Sequence, residues 1–118
     1  MPFVDILWKP SVVAEEQVIA VRDAVRATVA STLTAYDPQH LVTEAMVDVR
    51  VQPVGALDAI GPDLYVTVYA REEPARDANK LVVIERITKA ARDASCPPDT
   101  MVELVLTNRS SVYDYNDA

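Results

Sequence analysis

Leu64-Tyr65-Val66-Thr67-Val68-Tyr69-Ala70-Arg71 begins a pattern that the chain has already run through once. Leu64, Val66, Val68 and Ala70 alternate with Tyr65, Thr67, Tyr69 and Arg71, the two-residue period of a strand with one buried face. Pro74 follows, at a place where a missing N–H costs nothing in the first turn of a helix. Leu81, Ile84, Ile87, Ala91 and Ala94 then recur at three- and four-residue spacing, an apolar stripe along a helix. Pro97-Pro98 ends that helix. Val102, Leu104 and Leu106, alternating with Glu103, Val105 and Thr107, read as one more strand.

The first half has the same order of elements. Val4, Ile6 and Trp8 alternate with Phe3, Asp5 and Leu7 as a strand. Ser11, behind Pro10, is placed to cap a helix, and Glu15-Glu16 suit the positive end of its dipole. Val18, Val21, Val25, Val29 and Leu33 form the stripe, Asp37-Pro38 stops it, and Val47, Val49 and Val51 mark a strand. A turn-rich connector from Pro53 to Asp63 holds both glycines, Gly55 and Gly61. Sliding one half by 63 residues pairs Val18 with Leu81 and Val21 with Ile84. The expected architecture is a single α/β (α+β) domain over residues 1–118, made of two β-α-β repeats at about 1–54 and 63–112. Its four-stranded sheet carries both helices on one face. The other face is left with Phe3, Leu7, Tyr65, Tyr69 and Val105 among Asp5, Asp48, Arg50, Thr67, Arg71 and Glu103. Self-association through that face is expected, with a solvated amphipathic face as the competing reading.

Composition bounds the function. The 118 residues carry a formal net charge of −7 with no basic run, which disfavours nucleic acid and anionic lipid as partners. No apolar stretch is long enough to span a bilayer, and no leader-like segment is legible, so no membrane partner is expected. The lone cysteine, Cys96, reads as structural and fits a reducing cytoplasm. His40, the only histidine, has no cysteine or acidic residue at metal spacing and reads as a solvated loop residue. No metal or cofactor is expected, since no phosphate loop, zinc pattern or Ser-His-Asp arrangement is legible.

Pro2 stands directly ahead of the first strand. Once Met1 is removed, its nitrogen is a secondary amine able to take a proton or attack a carbonyl, which an internal proline amide cannot do. An α-amino group titrates near pH 8 in model peptides, within reach of neutral pH after modest desolvation.

A Met-Pro start, a duplicated β-α-β pattern and this length together resemble the tautomerase superfamily. The malonate semialdehyde decarboxylase and cis-3-chloroacrylic acid dehalogenase branch is the part it most resembles. The likeness implies a homotrimer whose sheets surround a channel, and a cofactor-independent enzyme with Pro2 as its catalytic base or acid. It also implies that Asp37 handles a water and that Arg71, closing Val68-Tyr69-Ala70-Arg71, binds a substrate carboxylate. Arg50 in Val47-Asp48-Val49-Arg50-Val51 is similar to the second-strand arginine of the small tautomerases. Thr107-Asn108-Arg109 followed by Tyr113 and Tyr115 resembles the decarboxylase's closing segment. The chain departs from that branch after Arg71, where Glu72 and Glu73 follow and the next arginine is Arg76.

The implied activity is proton transfer on a small keto or enol carboxylic acid. Decarboxylation, hydration or dehalogenation of a three-carbon acid is the alternative, and a non-catalytic binding or structural trimer that keeps Met1 is another. Each residue also has a plainer reading. Arg50 and Arg71 suit surface ion pairs, Asp37 before Pro38 suits a helix stop, and Tyr113 and Tyr115 suit packing against a neighbour.

Overall fold

The computed structural model describes residues 2–95 and 99–107. Strands β1 (Phe3–Trp8), β2 (Asp48–Pro53), β3 (Leu64–Arg71) and β4 (Thr100–Thr107) form one sheet in the order β2-β1-β3-β4. β1 runs parallel to β2, β3 runs parallel to β4, and the two pairs meet antiparallel across β1 and β3. Each parallel pair is bridged by helix: α1 (Glu15–Tyr36) in the first half, α2 (Pro74–Ala78) and α3 (Lys80–Ser95) in the second. The α+β architecture of two β-α-β units, with a mixed four-stranded sheet, is the expected one.

The alternation in the strands separates two faces. Val4, Ile6, Leu64, Val66 and Val68 are wholly buried, with Ala70 nearly so, and they meet the helices. The α1 stripe of Val18, Val21, Val25, Val29 and Leu33 is buried as its spacing requires. Phe3, Asp5, Leu7, Tyr65, Thr67 and Tyr69 take the opposite, partly open face. One row of that face is polar across all four strands, because Arg50 pairs with Asp5, Asp5 with Thr67, and Thr67 with Glu103.

Three details differ from expectation. Ser11 does not cap α1; a turn in which Val12 and Val13 donate to the Lys9 carbonyl delays the helix to Glu15. Ala14 is the capping residue, and its N–H donates to Gln17 Oε1 at 2.8 Å. The second helix is broken at Asn79, whose side-chain amide donates to the Ala75 carbonyl at 2.7 Å.

The stripe of α3 is also shifted. Leu81 is 71% exposed, whereas Val83, Ile87 and Ala91 are buried. Leu81-Val82-Val83-Ile84 are apolar in succession, so periodicity alone leaves the phase of the stripe undecided. Positions two apart on a helix do not share a face, so burying Val83 turns Leu81 outward. The true repeat shift is therefore 62, one less than the helix pattern implies (66 less 4, for Val66 and Val4). It matches Val4 with Val66, Ile6 with Val68, Val25 with Ile87 and Val29 with Ala91, all buried.

Candidate active site

Topology gathers most of the expected residues at one end of the sheet. A helix joining two parallel strands must run back against them, so α1 ends beside the start of β1. β3 is antiparallel to β1, so Arg71 ends at the same side. Pro2, just ahead of β1, is buried, and its carbonyl accepts the Asp48 N–H at 3.2 Å. Thr107, which closes β4, pairs with Arg71, and the Glu72 N–H donates to the Thr107 carbonyl at 2.8 Å.

Asp37 caps the C-terminus of α1 through its own N–H, which donates to the Leu33 carbonyl at 2.9 Å. That places a carboxylate just past a helix end, in a site 3% exposed. Arg76, 5% exposed on the one-turn α2, faces it with Nε 3.3 Å from Asp37 Oδ2. Among the described residues no hydrogen bond is aligned on that buried Nε, and the guanidinium instead donates from Nη1 to the Arg71 carbonyl at 3.0 Å. Arg71 in turn donates from Nε to Glu73 Oε1 at 3.0 Å. Glu73 is the residue before Pro74 and the N-cap of α2; its side chain makes no cap hydrogen bond and is held by Arg71 instead.

His40 closes the circuit. Its backbone N–H donates to the Asp37 carbonyl, and its Nδ1 lies 2.9 Å from Asp37 Oδ2. An ionised carboxylate only accepts, so Nδ1 carries the proton and Nε2 is left as an acceptor in the neutral ring. Nε2 stands 3.7 Å from Glu73 Oε1, the oxygen that Arg71 also holds. The His40 side chain is still 36% exposed, as a loop residue would be, but its Nδ1 is held by Asp37 and its Nε2 faces Glu73, which the expectation of a merely solvated residue did not include. Sequence spacing does contain the i, i+3 relation of Asp37 and His40, but nothing local signals the approach of Glu73.

Beside this circuit lies a pocket of about 290 Å³ lined by Asp37, Pro38, Gln39, His40, Glu73, Pro74 and Ala75. Its lining supplies two acids and one imidazole, while Arg71 and Arg76 are not among its lining residues and reach it only through their contacts with Glu73 and Asp37. Among the described residues no group of three or more His, Cys, Asp or Glu is arranged to hold a metal ion. None of their helices is long and apolar enough to cross a membrane.

Arg50 is not brought into this cluster within one chain. Its guanidinium straddles Asp5, with Nε to Oδ1 at 2.9 Å and Nη2 to Oδ2 at 3.1 Å, and lies over the Phe3 ring. The Asp5 carboxylate holds the Arg50 pKa above its ordinary value. Two strand spacings and four residues along β3 separate Arg50 from Arg71, roughly 16 Å between backbones. Both sit on the open face, but one subunit cannot close them around one small acid. On the same face Tyr65 donates its phenolic proton to Glu103, a hydrogen bond that raises the Tyr65 pKa, with burial adding to it. Tyr113, Tyr115 and Cys96 lie outside the described residues.

This arrangement of strands, helices and duplicated halves defines a class: the chain has the tautomerase superfamily fold. No family model matches the sequence, and no curated protein matches it. Solved structures do. A malonate semialdehyde decarboxylase inhibited by 3-bromopropiolate aligns at 13% identity, over 96% of this chain and 89% of that one, with a TM-score of 0.70. A fused 4-OT wild-type symmetric trimer aligns at 14% identity over 97% and 92%, with a TM-score of 0.66. A macrophage migration inhibitory factor-like protein from Entamoeba histolytica aligns at 10% identity over 96% and 95%, with a TM-score of 0.62.

Proposed function

We propose that this chain is a cofactor-independent tautomerase acting in the cytoplasm on a small keto or enol carboxylic acid, as a homotrimer of one-domain subunits. The observation that carries the reading is positional. In a tautomerase-like fold, Pro2 is buried at the sheet end where Asp37, Arg71 and Arg76 also converge. With Met1 removed, the Pro2 amine takes the proton from the carbon beside the carbonyl and returns it to the other end of the enol. Arg71 and Arg76 hold the carboxylate and the negative charge that develops on the oxygen. Arg50 contributes from a neighbouring subunit, and Tyr113 and Tyr115 remain further substrate-binding candidates. Isomerase and decarboxylase activities among proteins of this fold support the reading.

Decarboxylation or hydration of a 3-oxo acid is the second reading, and the buried Asp37 favours it. A carboxylate beside a guanidinium can place a water or orient the Pro2 amine. A third, non-catalytic reading applies if Met1 stays attached, because Pro2 is then an amide.

Intact mass of the native protein decides whether Pro2 is free. Ketonisation of phenylenolpyruvate, set against loss of carbon dioxide from 3-oxopropanoate, then separates the two enzymes. Pro2→Ala is expected to lower the observed activity by about 100-fold or more. Undiminished turnover rejects Pro2 as the acid–base group. A stable monomer in sedimentation rejects the trimer.

A further inference from the structure

The same oxygen, Glu73 Oε1, stands 3.0 Å from Arg71 Nε and 3.7 Å from His40 Nε2. The two neighbours make different demands on it. Arg71 is a permanent cation and a donor. His40, with its proton on Nδ1 toward Asp37, presents a lone pair at Nε2, and two acceptors hold apart. A proton added at Nε2 turns that contact into an imidazolium donor, bracketed by Asp37 on one side and Glu73 on the other. Glu73 then has a reason to leave Arg71.

We infer that Glu73 and His40 are specificity-determining residues of this site: Glu73 is an internal carboxylate that masks Arg71, and an external carboxylate replaces it as His40 takes up a proton from solvent. The inference rests on the reading of Arg71 as a carboxylate-binding group. The charge count supports it. With His40 neutral, Arg71 and Arg76 are balanced by Asp37 and Glu73, and the circuit offers no net attraction to an anion. One proton makes the circuit singly positive, matching one carboxylate. Among the described side chains, Glu72 is exposed, and Asp77 is exposed and lies 3.7 Å from Lys80. The Pro2 amine, free once Met1 is removed, is a separate titrating group at this sheet end, and His40→Gln tells its contribution from that of His40. Arg76 is fastened to the Arg71 carbonyl and to Asp37, so Arg71 is the guanidinium available for exchange. The pocket of about 290 Å³ that His40 and Glu73 line has room for a small acid.

His40 is the only histidine in the chain, so its ring nitrogens give unambiguous NMR signals. The probe is propanoate, fully ionised across the range from about pH 6 to 8 and unable to react with an amine. Adding it to the full-length protein at constant pH is expected to move the His40 nitrogens from the neutral pattern to the doubly protonated one. Its affinity is expected to fall as pH rises, approaching about tenfold per pH unit. His40→Gln should flatten that slope. Glu73→Gln should tighten binding about tenfold above pH 7 and also flatten the slope, since the mask is gone. Propanoate binding that is absent, independent of pH, or equally pH-dependent in His40→Gln overturns the inference. Pro2→Ala keeps the circuit intact, so pH-linked binding that survives alongside lost turnover supports both readings. pH-linked binding in a wild-type protein inactive in every assay leaves this inference standing while the tautomerase falls.

Discussion

Removing Asp37 should cost this chain a large share of its stability, and the geometry says why. The Asp37 and Arg76 side chains are 5% and 6% exposed and lie 3.3 Å apart. In Asp37→Ala the guanidinium stays buried, loses its counter-charge and, among the described residues, keeps the Arg71 carbonyl as its acceptor. Breaking a buried ion pair from one side typically costs about 3–5 kcal/mol, because an uncompensated charge remains. A domain of this size has about 5–15 kcal/mol in total. Scaled to this length, the melting temperature should fall by roughly 10–20 °C. Urea unfolding at one fixed protein concentration measures the loss, and the slope of the transition should not change. The decisive comparison is a cycle with Arg76→Met and the double variant Asp37→Ala/Arg76→Met. Removing both charges at once should restore most of the stability that the single change loses. The reasoning is refuted if Asp37→Ala loses less than about 1 kcal/mol, or if the two single losses simply add.

Two further outcomes follow from burial and charge. Ile87→Ala, in the α3 stripe, should lose about 2–5 kcal/mol, whereas Leu81→Ala should stay within about 0.5 kcal/mol of wild type. Thermal melts of the two variants read the true phase of that helix. Tyr65 should ionise above the ordinary tyrosine range, because Glu103 accepts its proton in a hydrogen bond. A raised phenol favours the folded state below pH 10, and that contribution fades as pH climbs through the folded-state value. Carbon-13 NMR of the tyrosine rings, compared with Glu103→Gln, should show the Tyr65 midpoint fall in the variant.

The fold was open to reading because its signals are local and redundant. Val4 and Ile6, Leu64 through Ala70, and the five-residue stripe of α1 each repeat a period that belongs to a single type of element. Asp37-Pro38 and Pro74 mark helix ends by backbone constraints that act within a few residues. A degenerate signal leaves the phase open: four apolar residues from Leu81 to Ile84 fit several helix phases, and only packing in the folded chain selects Val83. Ser11 had cap chemistry, but the Lys9 turn moved the helix start past it.

The candidate site divides along the same line. Residue types and rough places, such as Pro2 ahead of β1, Asp37 after α1 and Arg71 closing β3, come from chemistry and order along the chain. Their grouping comes from the antiparallel meeting of β1 and β3, which sets Arg71 beside the start of the chain and Arg50 two strands away from it. His40 shows the limit most clearly. Thirty-odd residues separate it from Glu73, and no periodicity spans that distance. Folding brings the two within ion-pair range, and so only the tertiary structure turns an ordinary loop histidine into part of a charge circuit.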